Sequence, residues 1–150
     1  MPSHSESRIL PYPHDFIYAI VADVERYPEF LPWCAGLRIL SREKSASGEV
    51  LLAETLIGYK ALRERYTSRV ELEPHGRIDV AQTEGPFRQL ENHWRFAPAG
   101  SDCRVDFSIS FEFKSRILGR VAGAALGLVM MQMTNAFEAR ARTLSQKSKQ

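Results

Sequence analysis

The sequence predicts an α+β fold in which a curved antiparallel sheet of about six or seven strands, two short N-terminal helices and one long C-terminal helix share a single core. Three observations lead there. Residues 62–72 and 103–113 alternate apolar and polar side chains with the period of a half-buried strand. Pro13, Pro28 and Pro32 confine any helix before residue 37 to short pieces. Ser115 to Leu144 is free of proline and repeats apolar residues at helical steps.

Taken in order, Ser7 to Tyr12 reads as a short first strand, and the preceding terminus, with His4, reads as frayed. Pro13-His14-Asp15 opens a helix to about Ala22, with proline in the first turn and Asp15 near the positive end of the dipole. Asp23 to Trp33 then holds a second short helix. From Leu37 onward the pattern is strands. Leu62, Glu64, Tyr66, Ser68, Val70 and Leu72 share one face of a strand, and Ile78 and Val80 repeat the alternation after the turn Pro74-His75-Gly76. Leu90, Asn92, Trp94 and Phe96 face inward, followed after Pro98-Ala99-Gly100 by Cys103, Val105, Phe107, Ile109, Phe111 and Phe113. Strand, short helices, meander and long helix form a helix-grip arrangement, the last helix covering the apolar face of the sheet.

That helix presents Leu118, Ala122, Leu126, Val129, Met130, Met133, Phe137 and Ala141 on one face, with Gly119, Gly123 and Gly127 beside it. Three glycines cost about 1 kcal/mol each against alanine in a helix interior, so a neighbour must benefit from the missing side chains. Close packing on the sheet and room for a bound molecule are two readings of the same pattern.

With 150 residues, 44% hydrophobic and 25% charged, the chain has the balance of one globular domain, residues 1–150 with a core from about 7 to 144. The net charge of +2 gives no case for DNA or a broad nucleic-acid surface. Arg140, Arg142, Lys147 and Lys149 give the C-terminus a local cationic end that suits a solvated helix tail or a weak phosphate contact. Cys34 and Cys103 are isolated and belong to no metal or redox motif, which fits buried thiols in a reducing compartment. The N-terminus shows neither a secretory h-region nor an Arg-rich presequence, so a cytoplasmic protein is expected. Val121 to Met131 is uncharged but spans eleven residues, short of the roughly 20 needed to cross a bilayer.

Motifs for catalysis are absent: no GxSxG, no HExxH, no phosphate loop and no metal-ligand spacing. His75 falls in a turn, His93 on the polar face of its strand, and His14 beside a helix start where capping suffices. Glu54 and Glu64 are the one carboxylate pair that could meet on the concave side of the sheet, with solvated rim positions as the other reading. No catalytic residue, no metal and no cofactor are therefore assigned, and an enzyme is not expected. What remains is an apolar concavity with a few polar groups, among them Tyr59, Tyr66, Ser68 and Asn92, which is the usual form of a small-molecule pocket.

The run Asp23-Val24-Glu25-Arg26-Tyr27-Pro28-Glu29-Phe30-Leu31-Pro32-Trp33-Cys34 resembles the coenzyme Q-binding members of the START, or polyketide-cyclase-like, superfamily, a family that also holds proteins called ribosome association toxins. The likeness continues through Tyr66-Thr67-Ser68-Arg69-Val70, Gly85-Pro86-Phe87, Trp94-Arg95-Phe96, Val105 to Phe113 and Phe137-Glu138-Ala139-Arg140-Ala141. It covers about residues 7 to 144 in order and spacing.

This resemblance implies a START or birch-pollen-allergen-like helix-grip fold whose cavity binds ubiquinone (coenzyme Q) or a related polyprenyl lipid. It also implies a lipid chaperone for cellular respiration, in peripheral contact with the inner membrane and respiratory complexes. The toxin-antitoxin name within the family implies the alternative, a ribosome-associating protein that blocks subunit joining. A cyclase-like enzyme is a third reading, disfavoured by the missing acid–base set. Mitochondrial relatives carry an import presequence, so its lack here points to a bacterial protein, or to a chain trimmed at its start.

For the site, Tyr27, Phe30, Leu31 and Trp33 are expected as a lid at the open end of the sheet, or equally as a hydrophobic plug. Leu118, Ala122, Gly123, Leu126, Val129, Met130 and Met133 are expected as one wall of the cavity. Tyr66, Val70, Leu90, Trp94, Phe107 and Phe111 are expected as the other.

Overall fold

Alternation along the strands decides which side of the sheet is dry. In the computed structural model, which describes residues 3–59 and 61–148 apart from the side chains of 121–125 and 148, the elements follow the expected order. They are β1 (Ser3–Leu10), α1 (His14–Ala22), a 3-10 turn (Val24–Glu29), β2 (Cys34–Lys44), β3 (Glu49–Tyr59), β4 (Leu62–Glu73), β5 (Arg77–Glu84), β6 (Phe87–Ala99), β7 (Asp102–Phe113), α2 (Arg116–Met131) and α3 (Met133–Ser148).

Strands β2 to β7 form an antiparallel meander and β1 adds to the far side of β7, giving the seven-stranded order β1-β7-β6-β5-β4-β3-β2. Leu51, Ala53, Thr55 and Ile57 of β3, Tyr66, Ser68 and Val70 of β4, and the odd positions 103–113 of β7 are buried on one face. Bulges at Cys34/Gly36, Ile39/Ser41, Thr67/Ser68 and Phe87/Gln89 interrupt the register. Such insertions raise local twist and bend the strand that carries them, which suits an open sheet curving around helices. The β5–β6 hairpin is held by Gln82, whose Nε2 donates to the Phe87 carbonyl at 2.6 Å while its Oε1 accepts from the Phe87 amide at 3.1 Å. Gly85 in that turn has φ +153°, and a Cβ there would lie 2.5 Å from Tyr66 Cβ, so only glycine lets Tyr66 keep its place.

Trp94, Phe87, Phe107 and Phe111 are almost wholly buried, each removal from water being favourable by about 1.5–3 kcal/mol. Phe137 of α3 ties the layers together, its ring centroid 5.1 Å from Trp94 on the sheet and 5.1 Å from Phe30 after the 3-10 turn.

Two expectations are corrected, and one open alternative is resolved. The first strand begins at Ser3, four residues early, because the pairing with β7 runs on to Ser3↔Ser110; His4 is thus a strand residue opposite Ile109. The C-terminal helical stretch is divided at Gln132 (φ −95°, ψ 18°), whose carbonyl accepts from the amides of Asn135 and Ala136 to start α3. Glu54 and Glu64 make no pair: Glu54 stands on the outer face with Arg38 at 3.1 Å, whereas Glu64 has the inward parity of β4 opposite Ile57.

Polar groups fix the start of α3. Buried Thr134 hydrogen-bonds Glu6 of β1, Arg8 donates to Asn135 at 3.0 Å, and Arg8 lies 3.5 Å from Glu138. Burial alone would raise the Glu6 pKa, but the hydrogen bonds from Thr134, Arg8 and His4 outweigh it and hold the carboxyl below its usual value.

Candidate functional site

Where β3, β4, β5 and β6 curve toward the 3-10 turn, side chains of moderate size leave a cavity of about 30 Å³, room for on the order of one or two waters. Val24 and Tyr27 bound it from the 3-10 turn, Trp33 and Leu37 from the entry to β2, and Met133 from the first residue of α3. Ala53, Thr55, Tyr66, Ser68, Val70, Val80 and Asn92 line the sheet side.

None of these lining side chains is charged. Tyr66 hydrogen-bonds Thr55, and the Tyr27 hydroxyl donates to the Val21 carbonyl. Burial pushes the pKa of both tyrosines well up, so both stay neutral phenols. Trp33, 3% exposed, has an indole Nε1 with no hydrogen-bond partner among the described residues, a rare condition for a buried donor. Beside it Cys34 is buried, its thiol pushed up to about 12 by desolvation and directed to the Gly36 carbonyl at 3.6 Å. Among the described residues no group of three or more His, Cys, Asp or Glu is placed to hold a metal.

Of the expected lining residues, the structure brings Tyr27, Trp33, Tyr66, Val70 and Met133 together on the cavity. Leu90, Trp94, Phe107, Phe111, Leu126 and Met130 are in the packed core, and Leu118 and Val129 pack against it half-buried. Leu31 is buried, while Phe30 is partly buried against Phe137, with the Arg140 guanidinium 5.1 Å above its ring. Arg140 also reaches Glu29 at 2.9 Å, so α3 clamps the segment read as lid or plug shut over the interior. Ala122 and Gly123 lie outside the described side chains. The polar candidates Ser68 and Asn92 are on the cavity; Tyr59 is not, although it packs on the core. Val24, Leu37, Ala53, Thr55 and Val80 are not among the lining residues expected from sequence: the four apolar ones only continue an apolar pattern, and Thr55 is a polar residue that no motif marks.

The outer face of the sheet has a different character. Asp79, with a side chain 15% exposed, receives His93 at 2.6 Å, Arg95 at 2.8 Å and Arg77 at 2.5 Å. Burial would raise its pKa, yet the hydrogen bonds from His93 and Arg95 prevail and lower it. Arg69–Glu71 and Arg104–Asp106 continue this pattern of cations matched by carboxylates.

A curved sheet closed by helices around a cavity with an uncharged lining defines a helix-grip domain. The sequence pattern of the family described as polyketide cyclase / dehydrase and lipid transport matches residues 10–138, and the chain belongs to that START-like family. It is related both to the toxin-named and to the coenzyme Q-named branches. It is 35% identical over 146 residues to the ribosome association toxin RatA of Rickettsia prowazekii, covering 95% of this chain and 97% of that protein. It is 37% identical over 143 residues to the coenzyme Q-binding protein COQ10 homolog B, mitochondrial, of Xenopus laevis, covering 92% of this chain and 57% of that protein. Among solved structures, the 18 kDa protein CC1736 of Caulobacter crescentus superposes with a TM-score of 0.76 at 36% identity, covering 97% of this chain and 99% of that one. TTHA0849 of Thermus thermophilus superposes with a TM-score of 0.78 at 21% identity over 96% and 99% of the two chains, and shows the fold alone.

Proposed function

We propose that this chain binds ubiquinone or a related polyprenyl lipid inside the helix-grip interior and carries it, without catalysing a reaction, in support of respiratory electron transport. The observation that carries the reading is the uncharged cavity, enclosed by sheet and helices and supplied with a few neutral polar groups. The free space of about 30 Å³ accepts only part of a head group, so uptake requires the helices to part from the sheet. The division at Gln132, next to the lining residue Met133, is the natural pivot for that movement. Each CH₂ of a tail buried afterward would contribute about 0.8 kcal/mol, so tail burial dominates affinity. Delivery occurs at the inner leaflet, where α2 offers exposed Ile117 and Leu128 to lipid.

The second reading is ribosome association, and the full-length relatives favour it: the Rickettsia protein and the RatA of Pseudomonas aeruginosa, 32% identical over 99% of that protein, are matched end to end. The paired charges of the outer sheet face speak against a broad phosphate-binding surface there. Two assays on the purified protein separate the readings. Uptake of a short-chain ubiquinone from detergent, with sedimentation of ribosomal subunits unaltered, supports the first. Failure to take up quinone, together with inhibited subunit joining, overturns it in favour of the second.

A further inference from the structure

The geometry points to the Trp33 indole N–H as the group that selects the ligand's head, by donating to a neutral acceptor oxygen such as a quinone carbonyl. This inference rests on the proposed ligand-binding reading and names the contact that gives it chemical selectivity. Trp33 lines the cavity, is 3% exposed, and has the one buried side-chain polar atom among the described residues without a hydrogen-bond partner. An indole N–H donates and cannot accept, so its partner must be an acceptor. The cavity lining carries no charged side chain, which leaves no counter-charge for a carboxylate or phosphate and makes a neutral oxygen the fitting group. The other polar groups are engaged or ambivalent: Tyr27 donates to Val21, Tyr66 pairs with Thr55, and hydroxyl and amide groups at Ser68 and Asn92 can serve either role.

Position reinforces the assignment. The Trp33 carbonyl accepts from the Gly58 amide at 3.0 Å, fixing the backbone at the entry to β2. The free volume beside the ring is about 30 Å³, the size of a small polar head substituent and far below that of a whole lipid. Trp33 would thus read the oxygen while the tail lies between helices and sheet. A polyprenyl hydrocarbon without oxygen would bury the same tail and leave the donor unmatched.

The test uses ¹⁵N-labelled full-length protein and two probes of equal tail length, a diprenylated benzoquinone and the corresponding diprenylated benzene. The Trp33 indole resonance, identified by its loss in Trp33→Phe, is expected to move downfield with the quinone and to stay in place with the hydrocarbon. Trp33→Phe is expected to weaken quinone binding roughly tenfold more than it weakens hydrocarbon binding, since both probes lose the same apolar contact and only the quinone loses the donor. If Trp33→Phe fails to fold, 3-benzothienylalanine at position 33 removes the N–H at constant shape and is expected to give the same loss. Quinone bound with an unmoved indole resonance, or with undiminished affinity in the variant that folds, overturns the assignment and leaves the hydrophobic-ligand reading standing. Neither probe binding to the folded wild-type protein overturns both.

Discussion

Gly127 of α2 lies so close to Phe111 of β7 that a Cβ at position 127 would stand 2.9 Å from Phe111 Cζ. Of the glycines that interrupt this helix, Gly119 has open space around its missing side chain, so the two have different reasons. Gly127 is a packing glycine. Gly127→Leu should therefore overpack the helix–sheet contact and destabilise the fold by about 1–3 kcal/mol, beyond any gain in helix propensity. Gly119→Ala should raise stability by up to about 1 kcal/mol. Urea midpoints of the two variants check both signs.

The Asp79 cluster sets an acid limit on stability. The folded-state pKa is below the ordinary 3.8, so the contribution is present in full above the unfolded value and is lost as pH falls through the folded one. The urea midpoint should drop below about pH 4, and Asp79→Asn should show a smaller drop over the same range. Equal acid dependence in the two proteins would contradict the assignment.

Cys34 and Cys103 are both buried with thiols raised by desolvation, Cys34 to about 12. Near pH 8 neither is a competent thiolate in the folded protein. Labelling by an aromatic disulfide should proceed at the rate of unfolding, and rapid labelling of native protein would contradict this burial.

Much of this fold was legible because β4 and β7 keep strict alternation and β6 keeps its inward parity from Leu90 to Phe96, past its bulge, and the period of two leaves only one register that buries the apolar face. β1 was hard to read because its inward positions His4, Glu6 and Arg8 are polar; Glu6 and Arg8 answer to Thr134, Asn135 and Glu138 across the core edge, a match that no local pattern encodes. The break at Gln132 has no glycine or proline to announce it. In the site, Tyr27 and Trp33 stood out as aromatics in a proline-bracketed run, and α3 meets that same run through Phe137 and Arg140. Ala53, Thr55 and Val80 were invisible, since an inward residue lining a cavity and one filling a core obey the same alternation.

On α2, Ile117 and Leu128 are 73% and 57% exposed and stand on the same side of the helix, eleven residues apart. Lys114, Arg116 and Arg120 lie alongside, with no carboxylate within ion-pair distance among the described residues. On the proposed delivery reading, the protein should cosediment with vesicles rich in anionic lipid. Ile117→Glu combined with Leu128→Glu should abolish that while changing stability by no more than about 0.5 kcal/mol. Cosedimentation unaffected by the double change would exclude α2 as the contact.

The most direct measurement is solvent extraction of the natively expressed, gently purified protein, with mass spectrometry of the extract set against an Ala53→Leu variant whose side chain fills the cavity. The account predicts a prenylated quinone or related polyprenyl lipid approaching one molecule per chain, depleted in Ala53→Leu. Folded wild-type protein yielding no such lipid, and taking none up when it is supplied, would contradict it.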